Sequence, residues 1–258
     1  LDLLREGGLS KAGKRAGRET SEGAVAVSIE GGVGTIVELG CETDFVSRND
    51  QFQQLVQQIA DAVRGAGGAT DPEQALALKM DGETIDEHVK SAVGRIGENI
   101  QLKRVGAIQV DGVVGGYVHG GGKLGVLVGL KTDSPADAEA VARDVAMHVA
   151  AVNPQVVSPD DMPEDLVAKE REIYSAQAQD SGKPPEIVEK MIDGRIRKFL
   201  SENSLTEQAF VKDPDTTVGK LVSQAGAEVL GFTRFEVGEG IEVEKVDFAS
   251  EVAAQLGN

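Results

Sequence analysis

Ala24-Val25-Ala26-Val27-Ser28-Ile29 and Gly34-Thr35-Ile36-Val37-Glu38-Leu39, joined by Glu30-Gly31-Gly32-Val33, read as two strands and a tight turn. β-branched residues dominate both runs, and the paired glycines supply the backbone freedom that a short hairpin connection needs. After Cys41-Glu42-Thr43-Asp44-Phe45 the period changes. Phe52, Leu55, Val56, Ile59, Ala60 and Val63 recur at helical spacing. Ser47 and Asp50 stand at capping-box distance, and Asn49 offers a second cap. Gly65, Gly67 and Gly68 end this helix, and residues 83–93 form another helical stretch. The first unit is therefore hairpin, turn and helix.

The plan recurs downstream. Residues 101–110 and 113–119 are strand-like around Asp111-Gly112, a second hairpin-turn signal. Residues 124–130 form a further strand that leads through Lys131-Thr132-Asp133 into a helix over 137–151. Ile36-Val37-Glu38-Leu39 before Thr43-Asp44 matches Leu127-Val128-Gly129-Leu130 before Thr132-Asp133, which points to an internal duplication. Between 163 and 203 the pattern becomes helical. Asp161 is placed to cap, Pro163 falls in the first turn, and Leu166, Val167, Ile173 and Tyr174 mark a stripe. Gly182 and Pro184-Pro185 break it before Ile187, Val188, Met191, Ile192, Ile196, Phe199 and Leu200 begin a second stripe, giving an αα-hairpin. A short helix (218–225), a strand (228–237) and an amphipathic helix (247–256) carrying Phe248, Val252 and Leu256 close the chain.

The expected fold class is α+β: duplicated small antiparallel-sheet-plus-helix units forming a core, with an inserted antiparallel helical hairpin and a C-terminal helix. The expected divisions are 1–21, 22–100, 101–160, 161–205, 206–246 and 247–258. Leu1 to Glu6 read as the end of a helix stopped by Gly7-Gly8, and Lys11, Lys14, Arg15 and Arg18 as a solvated helix or linker. So short a helix makes no core, so a further N-terminal helical unit is expected.

Composition excludes several classes. Of 258 residues, 40% are hydrophobic and 27% charged, as in an ordinary globular protein. The net charge of -17 argues against a nucleic-acid binder, which needs a surplus of Lys and Arg on one face, and favours a protein partner. The single cysteine, Cys41, permits no disulfide within the chain and fits a reducing compartment. No apolar run approaches membrane-spanning length and no signal peptide is read, so the expected location is cytoplasmic, with no membrane association.

No cofactor or metal is expected. His88, His119 and His148 are scattered and make no metal-ligand spacing. Gly120-x-Gly122-x-x-Gly125 precedes a strand where a dinucleotide site needs a helix. Gly122-Lys123 fails as a phosphate loop, because Leu124 replaces the magnesium-binding hydroxyl and Tyr117 replaces the first glycine. Any action on nucleotides must therefore pass through a partner.

Cys41-Glu42-Thr43-Asp44-Phe45-Val46-Ser47-Arg48-Asn49-Asp50 resembles the signature of the elongation factor Ts family. Further landmarks follow in family order: Ala146-Met147-His148-Val149-Ala150-Ala151, Gly182-Lys183-Pro184, Met191 with Gly194-Arg195, and Gln208-Ala209-Phe210-Val211. Phe232 to Gly240 and Asp247 to Ala253 resemble the C-terminal part. The resemblance departs at Gly40, where the family usually has Asn, a change expected to act on the turn. It also departs at the N-terminus, where 1–21 matches only the last helix and linker of a ubiquitin-associated-like domain.

The resemblance implies a guanine nucleotide exchange factor, not an enzyme, that binds elongation factor Tu in its GDP-bound and nucleotide-free states. It implies that Thr43, Asp44, Phe45 and Val46 form a loop that dislodges the partner's magnesium. It offers His148, Met147, His119, Phe248 and Val252 as further contacts, and a homodimer or two-plus-two complex with elongation factor Tu as an assembly. Read without it, Phe45 is a core residue, Asp44 a helix cap and His148 a satisfied core histidine. The rival functions are an enzyme with an unrecognised acidic site and a scaffold or chaperone-like binding protein.

Overall fold

The computed structural model describes residues 15–178 and 182–239. The expected helix end at 1–6, Lys11 and Lys14, and the C-terminal helix with Phe248 and Val252 lie outside them. Strand β1 (Glu22–Glu30) pairs with β2 (Val33–Cys41), and Gly31 takes φ 58° in the two-residue turn between them. There follow α1 (Asp44–Ser47), α2 (Asp50–Gly65), α3 (Pro72–Leu76), the small hairpin β3 (Lys79–Met80) with β4 (Glu83–Thr84), α4 (Ile85–Ile96) and β5 (Ile100–Gln109). β5 returns beside β2, giving a sheet of order β1-β2-β5. The apolar faces of α2 and α4 cover it: Phe52, Ile59, Val63, Val89 and Val93 are buried with Val37, Leu39 and Leu102.

The second sheet is built from β6 (Gly112–His119), β7 (Leu124–Thr132) and β10 (Ala227–Glu236), in the order β10-β7-β6. Helix α5 (Pro135–Val152) packs on it through Ala138, Ala142, Val145, Ala146 and Val149. Between α5 and β10 come α6 (Glu164–Ala178), α7 (Pro185–Asn203), the hairpin β8 (Ala209–Phe210) with β9 (Asp213–Thr217), and α8 (Val218–Gln224). The duplication runs further than the sequence indicated. β3-β4-α4-β5 recurs as β8-β9-α8-β10, with Thr84 and Thr217 capping the two helices. Strands of two residues carry no readable period, so this part of the repeat was silent.

The two sheets pack back to back through Val25 and Ile36 from one and Val114, Leu127 and Phe235 from the other. Arg104 clamps the seam. Its guanidinium donates to Glu38 at 2.6 Å, to Glu239 at 3.0 Å and to the Glu236 carbonyl at 2.8 Å, and stacks 4.4 Å over the Phe235 ring. Glu38 is buried, and this pairing is what makes its charge tolerable there.

Three expectations are corrected. Asp111-Gly112 is not a hairpin turn, because β5 pairs with β2 and β6 with β7. Residues 110–112 instead carry the chain from one sheet to the other. They are held against the β1–β2 turn by Val110 N–H to Gly32 O (2.8 Å) and Val114 N–H to Gly31 O (3.1 Å). A turn dipeptide reports a local bend, whereas pairing follows from which open edge buries more apolar surface, and the edge of β2 wins β5. The expected strand 101–110 thus completes the first unit. Asp161 does not cap α6. It closes a 3-10 turn, Pro159–Asp161, by accepting from the Ser158 N–H at 2.9 Å and hydroxyl at 2.7 Å. Gly40 lies inside β2 and not in the turn, where a side chain would press on Thr20 and Lys103.

The helical hairpin is as expected. Helix α6 buries none of its residues, while α7 contributes Ile192 and Ile196. Its two ends meet at the core, where Gln155 N–H donates to Asn203 O (2.9 Å) and Leu205 N–H to Val156 O (2.9 Å). Replacing 163–202 with a short Gly-Ser link should therefore leave one cooperative unfolding transition in calorimetry, at a lower midpoint. Loss of cooperativity would show that the core depends on the hairpin. No described helix is long and apolar enough to cross a membrane.

Candidate functional site

The segment between β2 and α2 is built by two successive caps. Thr43 leaves the strand in an extended conformation, and its hydroxyl accepts from Val46 N–H at the start of α1. Asn49 then caps α2, accepting from Gln51 N–H at 2.8 Å. Asp44 is therefore not the cap. It sits in the first turn, where a carboxylate complements the helix dipole, and pairs with Arg48 at 3.1 Å. Ser47 is buried and donates to the Asp44 carbonyl at 3.0 Å, and Val46 packs partly against the first core cluster.

Phe45 is the apolar residue of this segment that faces outward, beside the polar Arg48 and Asn49. It is 85% exposed, the highest value among the exposed large hydrophobic residues that are described. Water contact across a whole phenyl ring costs about 1.5–3 kcal/mol relative to burial, and none of the described residues covers it. The core reading of Phe45 is excluded.

The loop is braced from outside. Glu98 accepts from Glu42 N–H at 3.1 Å, Thr43 N–H at 3.0 Å and the Thr43 hydroxyl at 2.6 Å. Glu42 in turn accepts from Asn99 N–H at 2.6 Å and pairs with Arg18 at 3.4 Å, while Asn99 donates to Arg18 O at 2.7 Å. At the other end Gln53 donates to Ser47 O at 2.6 Å and to Gly121 O at 3.2 Å, tying the loop to the β6–β7 turn. None of Glu98, Asn99 and Gln53 was singled out from the sequence. Glu98 is far from the loop in the chain, and only the return of β5 beside β2 brings it there.

Beneath the loop, Cys41 is buried and donates to Thr43 O at 3.3 Å. Burial, followed by the Glu98 charge, pushes its thiol up to about 12. It is an inert packing group and not a nucleophile. Among the described residues no group of His, Cys, Asp and Glu is placed to hold a metal ion.

The other anticipated residues separate. His119 is exposed at the end of β6, stacks on Tyr117 and shares a 3.0 Å hydrogen bond with its hydroxyl, next to the turn that Gln53 contacts. Met147 is half-buried on α5 and borders a groove with Ile29, Tyr117 and Arg143. His148 is fully buried, with Nε2 2.9 Å from Gln208 Oε1 and Nδ1 accepting from Val211 N–H at 3.3 Å. In the free chain this ring is a buried, hydrogen-bonded histidine that fixes the β8 region.

Burial holds His148 below its ordinary value of 6.5, partly offset by the Gln208 hydrogen bond. The unfolded chain therefore takes up the proton first as pH falls. The stability gained from a neutral His148 is complete above 6.5 and is lost progressively below it. The stability difference between the native chain and His148→Gln should thus shrink in urea melts taken from about pH 7.5 down to about pH 5. A constant difference would show that this ring does not titrate with folding.

The repeated half offers a control within one molecule. Thr132 occupies the place of Thr43, but its hydroxyl donates to Gly226 O at 3.1 Å and Pro135 begins α5 at once. No aromatic is displayed there.

Comparison with known proteins agrees with this geometry. Residues 42–239 match the family model described as Elongation factor TS. Elongation factor Ts of Alcanivorax borkumensis is 52% identical over 257 residues, covering 98% of this chain and 88% of the relative. The protein of the same name from Hahella chejuensis is 50% identical, covering 99% and 86%. That from Paracoccus denitrificans is 46% identical, covering 98% and 86%.

Proposed function

Because this chain belongs to the elongation factor Ts family of translation elongation factors, we propose that it binds elongation factor Tu carrying GDP and drives exchange of that GDP for GTP. The observation that carries this reading is Phe45, exposed at the tip of a doubly capped, externally braced turn. A preorganised apolar tip loses little freedom on docking, so most of its burial energy is available to deform the partner.

In this mechanism Phe45 enters the partner's GTPase domain near the bound magnesium. Asp44 exchanges its exposed partner Arg48 for polar groups around the metal, at small cost because such surface pairs contribute about 0–1 kcal/mol. Displacing magnesium removes the positive charge that holds the GDP phosphates, and GDP leaves. Reciprocity requires GDP to weaken binding of this chain by the same factor, so incoming GTP with its magnesium releases it. Thr43 and Val46 shape the tip. Met147 on α5 and His119 at the end of β6 provide further contacts, Phe248 and Val252 are further contact candidates, and His148 supports Met147 from inside. The chain itself is not an enzyme.

Release of labelled GDP from purified elongation factor Tu tests this. Catalytic amounts of the chain should accelerate release, and an unchanged rate would leave the two rivals, an enzyme with an unrecognised acidic site and a scaffold or chaperone-like protein. Leu166, Ile173 and Ile187 are exposed on the helical hairpin and are the surface a second copy would cover. Sedimentation of the chain with its partner distinguishes a one-to-one from a two-plus-two complex.

A further inference from the structure

We infer that Glu98 is the positioning residue of the exchange loop: its carboxylate, not the caps within the loop, sets the direction in which Phe45 points. This rests on the exchange reading above. The reason is one of connectivity. The caps at Thr43 and Asn49 fix the shape of α1 and the start of α2. They do not fix how the α1 turn sits on the end of β2, because they act within one contiguous segment. Glu98 acts from another element. One carboxylate oxygen takes two successive backbone N–H groups, Glu42 at 3.1 Å and Thr43 at 3.0 Å, and the other takes the Thr43 hydroxyl at 2.6 Å.

Two backbone donors converging on one oxygen hold the peptide plane at the strand-to-turn junction, and the hydroxyl bond holds the capping rotamer. The two oxygens of one carboxylate have lone pairs enough to accept all three at once. Glu98 is itself aimed. Gly97 ends α4 in the left-handed conformation, φ 92°, and Asn99 next to it is buried and hydrogen-bonded to Glu42 and Arg18. The carboxylate therefore stands on a rigid corner and cannot follow the loop if the loop moves.

Glu98 lies behind the loop and is spent on three contacts within the chain, so it acts on the partner only through Phe45 and Asp44. Loosening it should tax the insertion step while leaving docking of the remaining surface intact. That gives a signature that general destabilisation does not.

The test is stopped-flow GDP release from elongation factor Tu over a range of factor concentrations, with urea melts of each variant. For Glu98→Ala, the maximal release rate should fall about tenfold, as expected for losing hydrogen bonds to a charged group. The half-saturating concentration should change far less, and the melt should retain its cooperativity. Glu98→Gln keeps one accepting oxygen and should recover part of the rate. If Glu98→Ala does not fold, Glu98→Gln decides by the same split. An unchanged maximal rate in a folded variant overturns the inference, as does a rise in half-saturation with the maximal rate preserved. Failure of the unaltered chain to accelerate release overturns the exchange reading and this inference with it, so the two failures are told apart by the first control.

Discussion

Phe45→Ala should leave the melting behaviour of the chain almost unchanged while removing most of its ability to release GDP from elongation factor Tu. With the ring 85% exposed, truncation deletes no packing and should cost within about 0.5 kcal/mol, the range for surface changes. The lost burial against the partner is worth about 1.5–3 kcal/mol. Spent on the exchange step, this is roughly a ten- to hundredfold fall in maximal rate. The deficit should narrow when magnesium is removed by chelator, because the step the ring drives has then already occurred. A variant that exchanges normally, whatever its stability, would remove Phe45 from the mechanism.

Phe52→Ala should do the reverse. This ring lies in the next helix and is fully buried between α2 and the first sheet. Its removal leaves a cavity among packed neighbours and should cost about 3–5 kcal/mol in urea or thermal melts. Exchange per folded molecule should stay near that of the native chain, because the braces at Glu98 and Thr43 do not involve the ring. A loss below about 1 kcal/mol would mean that the helix repacks over the gap. The two phenylalanines thus give opposite signatures from one short stretch.

Most of the architecture was legible because the apolar periods are long. Helices α2 and α5 each bury one face at helical spacing, while β2 and β7 are near-continuous apolar runs buried on both faces. What failed was non-local. Asp111-Gly112 is a fair turn signal, yet nothing near it reports that β5 finds its partner in β2. The little hairpins β3-β4 and β8-β9 are too short to show alternation. At the site, the segment Thr43 to Val46 was visible as a strand-to-helix turn, and family resemblance gave it a role. Exposure removes the core reading of Phe45, and exposure is a property of the whole fold. His148 went the other way: the stripe of its helix placed it inside, and the structure keeps it there. Glu98 left no trace in the pattern, since a glutamate after a helix-ending glycine is ordinary until topology brings it under the loop.

The burial of Cys41 makes the molecule simple to instrument. Its sulfur is enclosed and, with an acidity shifted to about 12, yields essentially no thiolate near neutral pH. A cysteine introduced on the outer surface would therefore be the one thiol that a maleimide dye reaches, with no need to delete the native residue and disturb the strand end that carries the loop. The sequence also has no tryptophan. Ultraviolet excitation above the tyrosine band is then free for a single indole placed wherever docking is to be watched. With no tryptophan in the sequence and its one thiol enclosed, the chain leaves both channels open for following docking in real time.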